Sequence, residues 1–387
     1  MKIIPSTFAY DMQIYLDHAA TTPLHPMAKA AMEPYYDIMY GNPSSIHRHG
    51  REAKAAVEKS RKSIATILGT TASQIFFTSG ATESTNMALI QSIYMYGIKH
   101  VLTSSLEHHA VMHPLQQLER QSMIQIHYVS HDKHGNIDLN DLAEFVKNNN
   151  NTLVAVMHAN NEIGNINPVH EIAQICKQHQ AIYFCDTVQT VGCYPIDLQK
   201  FKADFITGSA HKFYGPKGVG FIYVSEDIKI KPYLTGGAQE RNMRAGTENV
   251  AGIVGMCKAL EISVSGMTEN TKNISKLKNQ LIAGLSQLSD IQYNGMSNVI
   301  DKSHYKILNV SFPQSETTDM LVFNLDIEKI SVSGGSACNS GALGASHVLE
   351  AINPSSERPA VRFSLGIYNT LAEIDHTIST IARLMND

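Results

Sequence analysis

Short apolar runs alternate with stretches of helical periodicity through the first two thirds of the chain, and this alternation restricts the fold more than any other feature. QIFFTSG leads into ATESTNMALIQSIYMYG, and HVLTSS leads into LEHHAVMHPLQQLER. TLVAVMHAN precedes PVHEIAQICKQHQ, which is followed by AIYFCDT and then by ADFITGSAHK. Runs such as TLVAVM and AIYFC are apolar on both faces, as strands covered by helices on both sides must be. The alternation predicts an α/β layer fold with a mainly parallel sheet flanked by helices.

After TENVAGIVGMCKALEISVSGM the texture changes. A long helical stretch runs to about Leu288, the strand-like pieces YKILNVSFP and KISVSGG follow, and a helix closes the chain. Thr370 with Glu373 forms a capping-box signature at its start, and Ile374, Ile378, Ile381 and Leu384 make one apolar stripe. The change predicts a domain boundary near residues 258–266. A chain of 387 residues with 43% hydrophobic content supports one large and one smaller domain, each with its own core.

Charge and cysteine usage exclude several function classes. The formal net charge is -4 and no basic stripe occurs, so direct nucleic-acid binding is not expected. The five cysteines, Cys176, Cys185, Cys193, Cys257 and Cys338, form no Cys-x-x-Cys pair, which argues against a zinc knuckle and a disulfide framework. The first residues contain no apolar region of signal-peptide length, and no later run approaches a membrane span. The expectation is a soluble, cytoplasmic protein without membrane contact.

Four motifs can carry chemistry, and each has a plain alternative. In ITGSAHKFYGPKGVGFIYV, Lys212 stands at a strand end beside small residues and could form a Schiff base. A lone lysine is more often simply solvated, and nearby Lys217 competes for the same role. Asp186 in AIYFCDTVQT ends a buried strand, where ligands of open α/β sheets collect. It could face a cationic partner such as a protonated ring nitrogen, or cap a following helix. In FFTSGATESTNMALI, the amides after Gly80 and the Thr82 hydroxyl could bind a phosphate at a helix start. Capping by Ser79 or Thr82 with Glu83 explains the same residues. His108 in SSLEHHAVMHP could stack on a cofactor ring and exchange protons, or be a surface histidine near a helix start. The spacing of these histidines does not match a two-histidine zinc helix, so no metal site is expected. Cys338, in VSGGSACNSG, lacks the apolar neighbours of a buried structural cysteine.

The motifs occur in the order phosphate cup, histidine, strand-end aspartate, lysine. With YLDHAATTP, GNPSSIHRHG, HANNEIG, DTVQTVG, GGAQERNMRAGTEN, SGGSAC and VRFSLG in sequence, the chain resembles the cysteine desulfurases of the NifS/IscS group. These are class-V aminotransferases of the fold-type I enzymes that depend on pyridoxal 5'-phosphate (PLP). The resemblance implies a large PLP-binding domain over 15–260. It also implies a small C-terminal α/β domain over 261–387, joined by segment 1–14 and carrying the cysteine loop.

The resemblance further implies a role for each matching residue. Lys212 would hold the cofactor covalently and later move the substrate α-proton, Asp186 would pair with the ring nitrogen, and His108 would stack on the ring. Asn161 and Gln189 would lie near the ring hydroxyl, and Ala81, Thr82, Ser209 and His211 would hold the phosphate. Thr247 would reach the phosphate of a neighbouring subunit, which implies a homodimer. Asn42 and Arg362, with Asn161, would bind the carboxylate of L-cysteine. Cys338 would take the substrate sulfur as a persulfide, leave L-alanine, and deliver the sulfur to an iron-sulfur scaffold or a tRNA-thiolation enzyme. The SGGSACNSG segment places the chain with the branch that carries its cysteine on a long loop. An aminotransferase would keep Lys212 and Asp186 but has no use for Cys338.

Overall fold

A computed structural model describes residues 13–334 and 346–386. The chain enters through a short strand, β1 (Ile14–Tyr15), and reaches its first long helix, α1 (Arg48–Ile67). The main sheet is then laid down strand by strand. Strand β2 (Ile75–Thr78) leads into helix α2 (Ala81–Tyr96), and β3 (His100–Thr103) leads into α3 (His109–Arg120). Next come β4 (Gln125–Tyr128), α4 (Leu139–Asn148), β5 (Thr152–Ala155) and α5 (Val169–Gln178). The strands β6 (Ile182–Asp186), β7 (Phe205–Ser209) and β8 (Gly220–Val224) complete the sheet.

The strand order is β2-β8-β7-β6-β5-β3-β4. Neighbours are parallel except at β8, which runs antiparallel to both β2 and β7. The mainly parallel α/β layer read from the alternation is therefore present. Alternate residues of each strand enter separate cores, as a period of two requires. Phe77, Leu102, Val154, Cys185, Ile206 and Phe221 face one core, shared with Val57 of α1, Leu142 of α4 and Ile172 of α5. Phe76, Val101, Leu153, Phe184, Phe205 and Ile222 face the other, shared with Leu89 of α2 and Leu115 of α3. Both faces are thus sealed by helices, which explains why these strands read as continuous apolar runs.

Helix α6 (Val250–Ser265) packs with α1 and runs unbroken through Leu260. It meets α7 (Met267–Leu285) at Gly266 with a bend of 72°. Strands β9 (Gln292–Tyr293), β10 (Ile307–Ser311) and β12 (Ala360–Ser364) form an antiparallel sheet, while β11 (Ile330–Ser331) pairs in parallel with β1. The last helix, α8 (Leu371–Asn386), begins with the expected reciprocal cap: Thr370 N donates to Glu373, and Glu373 N donates to Thr370 Oγ1. Its Ile374 and Ile381 join Leu277 and Leu281 of α7, Val310, Phe363 and the entering Ile14 and Leu16 in a third apolar core. Among the described residues no single helix is long and apolar enough to cross a membrane.

Candidate active site

The carboxyl ends of the parallel strands meet at a cavity of about 550 Å³. This is where open α/β sheets collect ligands, because the chain turns away there and leaves polar strand-end groups facing a crevice. Ala81, Thr82, His108, Asn161, Asp186, Gln189, Ser209, His211, Lys212 and Arg362 all line it, as does Lys217. Ten candidate positions, scattered over most of the chain, therefore share one space. Asn42 and Thr247 do not line it and are exposed. Cys338 lies outside the described residues.

Lys212 leaves the end of β7, and its Nζ donates to the carbonyl oxygens of Ala19 and Ala20 at 2.6 and 2.8 Å. These carbonyls belong to the segment after β1, whose pairing with β11 brings the entering chain to the site. Asp186 is buried, and its Oδ1 accepts from Val188 N at 2.9 Å. No helix follows it directly, so the carboxylate closes a turn and does not cap a helix. Burial pushes the Asp186 carboxyl above its usual range, against the Val188 bond and the Lys212 charge. Among the described residues it makes no ion pair, so a cationic group in the cavity would relieve it.

His108 is not a surface histidine: it caps α3, with Nδ1 accepting from Ala110 N at 3.0 Å, and it lines the cavity. Burial first, then the Lys212 charge and the neighbouring histidines, lower its pKa to about 4. The ring is thus neutral at physiological pH, and the bond to Ala110 places its proton on Nε2. His109 lies tilted beside it, stacked on His113 and tilted against His347. Among the described residues no group of three or more histidine, cysteine or acidic side chains is placed to hold a metal.

The turn before α2 does not carry the side-chain cap that Ser79 or Thr82 could have supplied. Its N-cap is Gly80, which offers no side chain, so no side-chain cap reaches the first-turn amides. Strand β8 presses close behind it: a Cβ on Gly220 would meet Gly80 Cα at 2.8 Å, so glycine is required there. Glu83 turns back and accepts from Ser79 N and Ser79 Oγ at 2.9 and 2.6 Å. Ser209 and His211 close the cup from β7. His211 binds Thr21 Oγ1 through Nδ1 at 3.1 Å, and burial with the Lys212 and Lys217 charges lowers its pKa to about 4.

Arg362 is buried in β12. Its Nη2 pairs with Asp17 at 2.8 Å and its Nη1 donates to Asn161 O at 2.9 Å, while its buried Nε has no hydrogen-bond partner among the described residues. Gln189 donates from Nε2 to Ala19 O at 3.1 Å, and its own carbonyl accepts from His304 Nε2 at 2.8 Å. The donor set matches PLP chemically. It offers an amine for the aldehyde carbon, a buried carboxylate for a protonated ring nitrogen, and an uncapped helix start with hydroxyl and imidazole groups for a phosphate.

Several participants carry no local signal in sequence. The Ala19 and Ala20 carbonyls and the Asp17 carboxylate lie in YLDHAATTP, a motif whose chemistry is invisible until the fold brings it to Lys212 and Arg362. Glu107 is fully buried, accepts from Met157 N at 2.7 Å, and is pushed well above the usual carboxylate range by burial. Arg244 grips Glu83 from a segment in which Glu240, Arg241 and Asn242 all have left-handed backbone, with φ of 45°, 56° and 64°.

The family model of class-V aminotransferases matches residues 14–377. The chain is 41% identical over 379 residues to the cysteine desulfurase IscS of Dictyoglomus turgidum, covering 96% of this chain and 94% of that one. A solved NifS-like protein superposes with a TM-score of 0.89 at 35% identity, covering 97% of this chain and 100% of the other. The structure of SspA in complex with cysteine superposes with a TM-score of 0.79 at 29% identity, over 93% of this chain and 100% of that one.

Proposed function

We propose, on the premise that the chain belongs to the class-V aminotransferase family and is a cysteine desulfurase of the IscS/NifS group, that it binds PLP and moves the sulfur of L-cysteine onto Cys338. The observation that carries this reading is the single cavity lined by Lys212, Asp186, His108 and Arg362. Bound PLP supplies an electron sink beside the substrate α-carbon. Asp186, buried and in no ion pair among the described residues, is suited to hold a positive ring nitrogen. Ala81, Thr82, Ser209 and His211 are suited to the phosphate, and Asn161 and Gln189 to the polar edge of the ring.

Arg362 orients the substrate carboxylate. Its planar fork is already aimed by Asp17 and the Asn161 carbonyl, and its buried Nε is left to donate. Lys212 Nζ takes the α-proton, and His108 Nε2 is the ring atom that can give one. The Cys338 sulfur then forms a bond to the substrate sulfur as the substrate Cβ–S bond breaks. L-cysteine and the Cys338 thiol thereby become L-alanine and a Cys338 persulfide, with no external oxidant. The acceptor would be an iron-sulfur scaffold or a tRNA-thiolation enzyme in the cytoplasm.

A homodimer completes the reading. Thr247 and Asn42, which the family resemblance assigns to the site, are exposed in the single chain, and Asn42 lies within an exposed apolar stretch. In that stretch Tyr36, Ile38, Tyr40 and Ile46 are 62, 73, 67 and 90% exposed. Such a surface supports burial against a second copy. The function is tested by measuring the mass of the Cys338 peptide after exposure to L-cysteine. The expected result is a gain of one sulfur atom there and one L-alanine per sulfur; transamination without sulfur on Cys338 would overturn it.

A further inference from the structure

We infer that Arg244 is a positioning residue for the phosphate end of the cavity, closing Glu83 into an ion pair so that this carboxylate can build the cup without repelling a bound phosphate. The inference rests on the PLP reading above. Glu83 does a necessary job, since its Oε2 takes both the amide and the hydroxyl of Ser79 and fixes the turn that precedes α2. Yet Glu83 also lines the cavity. A phosphate brought to the neighbouring amides would meet a like charge on a largely buried carboxylate, where repulsion is poorly screened.

Arg244 resolves that conflict. Its Nε binds Glu83 Oε1 at 2.8 Å and its Nη2 reaches Oε2 at 3.3 Å, so the guanidinium covers both carboxylate oxygens. Burial alone would raise the Glu83 pKa; the Arg244 and Ser79 bonds outweigh it and hold the group below its usual range. The side chains are 16% and 20% exposed, so the pair is largely withdrawn from solvent. Its geometry is also imposed from outside. The three left-handed residues that turn the chain toward Arg244 are held by a buried Arg61–Glu240 pair at 2.7 Å and by Arg241 Nη2 on Ile75 O at 2.6 Å. An ordinary helix-capping glutamate gains from the helix dipole without any such partner.

The test is titration of the cofactor-stripped protein with PLP, followed by absorbance, for the wild type, Arg244→Gln, Arg244→Lys, Glu83→Gln and the double variant. If Arg244 acts by neutralising Glu83, Arg244→Gln weakens binding about tenfold or more, consistent with an uncompensated charge at such range. Glu83→Gln in the same chain restores most of that loss, Arg244→Lys falls between, and added salt narrows the gap. Pyridoxal, which has no phosphate, should bind wild type and Arg244→Gln alike. A double variant as weak as Arg244→Gln, or an Arg244→Gln that binds like wild type, overturns the inference alone. A wild-type protein that binds no PLP overturns the function reading and this inference with it.

Discussion

Lys212 Nζ donates to the carbonyl of Ala19 at 2.6 Å, joining the end of β7 to a segment 193 residues earlier in the chain. A second bond, to Ala20, fixes the amine from the same side. Two backbone carbonyls stabilise an ammonium without supplying a counter-charge that would have to be broken when the amine reacts. Lys217 lines the same cavity but is exposed. The geometry therefore favours Lys212 over its neighbour, a choice that the glycine-rich motif left open.

Lys212→Ala should abolish the visible absorbance that a lysine-bound cofactor gives, while Lys217→Ala leaves it in place. Activity with L-cysteine should fall below detection in the first variant, because the covalent anchor and the proton acceptor are lost together. The check is an absorbance spectrum of each purified variant after incubation with PLP. An unchanged spectrum for Lys212→Ala would move the assignment to Lys217.

Arg362→Lys should keep a positive charge but lose the fork that now spans Asp17 and the Asn161 carbonyl. The expected loss is about 100-fold in kcat/KM for L-cysteine, on the order of one bidentate charged contact. Most of it should appear in KM, with PLP binding unaltered. The backbone of Arg362 also exchanges two bonds with Ser333, at 2.7 and 3.3 Å, on the segment that leads toward Cys338. Arg362→Lys leaves those bonds intact, so steady-state kinetics isolates the side chain.

What could be read from sequence follows from the range of the forces involved. The strands β5 and β6 were legible because burial on both faces writes an unbroken apolar run, and α8 because Thr370 and Glu373 lie three residues apart. The strand-end candidates were legible for the same reason: finding the strand finds its end. Contacts between distant segments leave no such trace. Nothing local to Ala19 points to Lys212, nothing in RNMRAG points to Glu83, and the two-residue β1 is too short to announce its pairing with β11, although KISVSGG reads as strand. The reversal of β8 was equally hidden, since an apolar strand reads alike in either direction. At the start of α2 the capping alternative fails, because Gly80 and not Ser79 or Thr82 is the N-cap, while His108 does cap α3.

Acid should destabilise the ligand-free protein between about pH 6.5 and 4. Burial holds His18 at about 3, His108, His158 and His211 at about 4, and His304 well below its ordinary value. In the unfolded chain each takes a proton near pH 6.5. Between these values the unfolded state binds more protons, so stability falls as pH falls, by up to about 1.4 kcal/mol per pH unit for each group. Glu107, Asp186 and Asp204 act oppositely, because burial raises their folded pKa values, Asp204 to about 6. Five histidines against three carboxyls leave a net loss. Melting temperatures across this range should drop toward acid, and a level or rising profile would contradict neutral burial of the histidines.

The buried Arg61–Glu240 pair supplies the most direct prediction for stability. Arg61 is 2% exposed and Glu240 is 4% exposed. The guanidinium binds both carboxylate oxygens at 2.7 and 2.8 Å, donates to Ile75 O at 2.9 Å, and lies 4.5 Å from the Phe77 ring. Glu240 in turn accepts from Phe77 N at 2.8 Å, tying the pair to β2. Arg61→Ala would leave a carboxylate buried without its partner, at a cost of about 3–5 kcal/mol. The three left-handed residues at 240–242 each store roughly 1–2 kcal/mol in the folded state, so any relaxation they undergo when Arg61 is lost reduces that cost. Arg61→Met with Glu240→Gln removes both charges and keeps an acceptor for Phe77 N, so it should recover a large part of the loss. Denaturant unfolding of the three proteins decides the matter. A double variant no more stable than Arg61→Ala would show that packing around Arg61, and not the stranded charge, sets the cost.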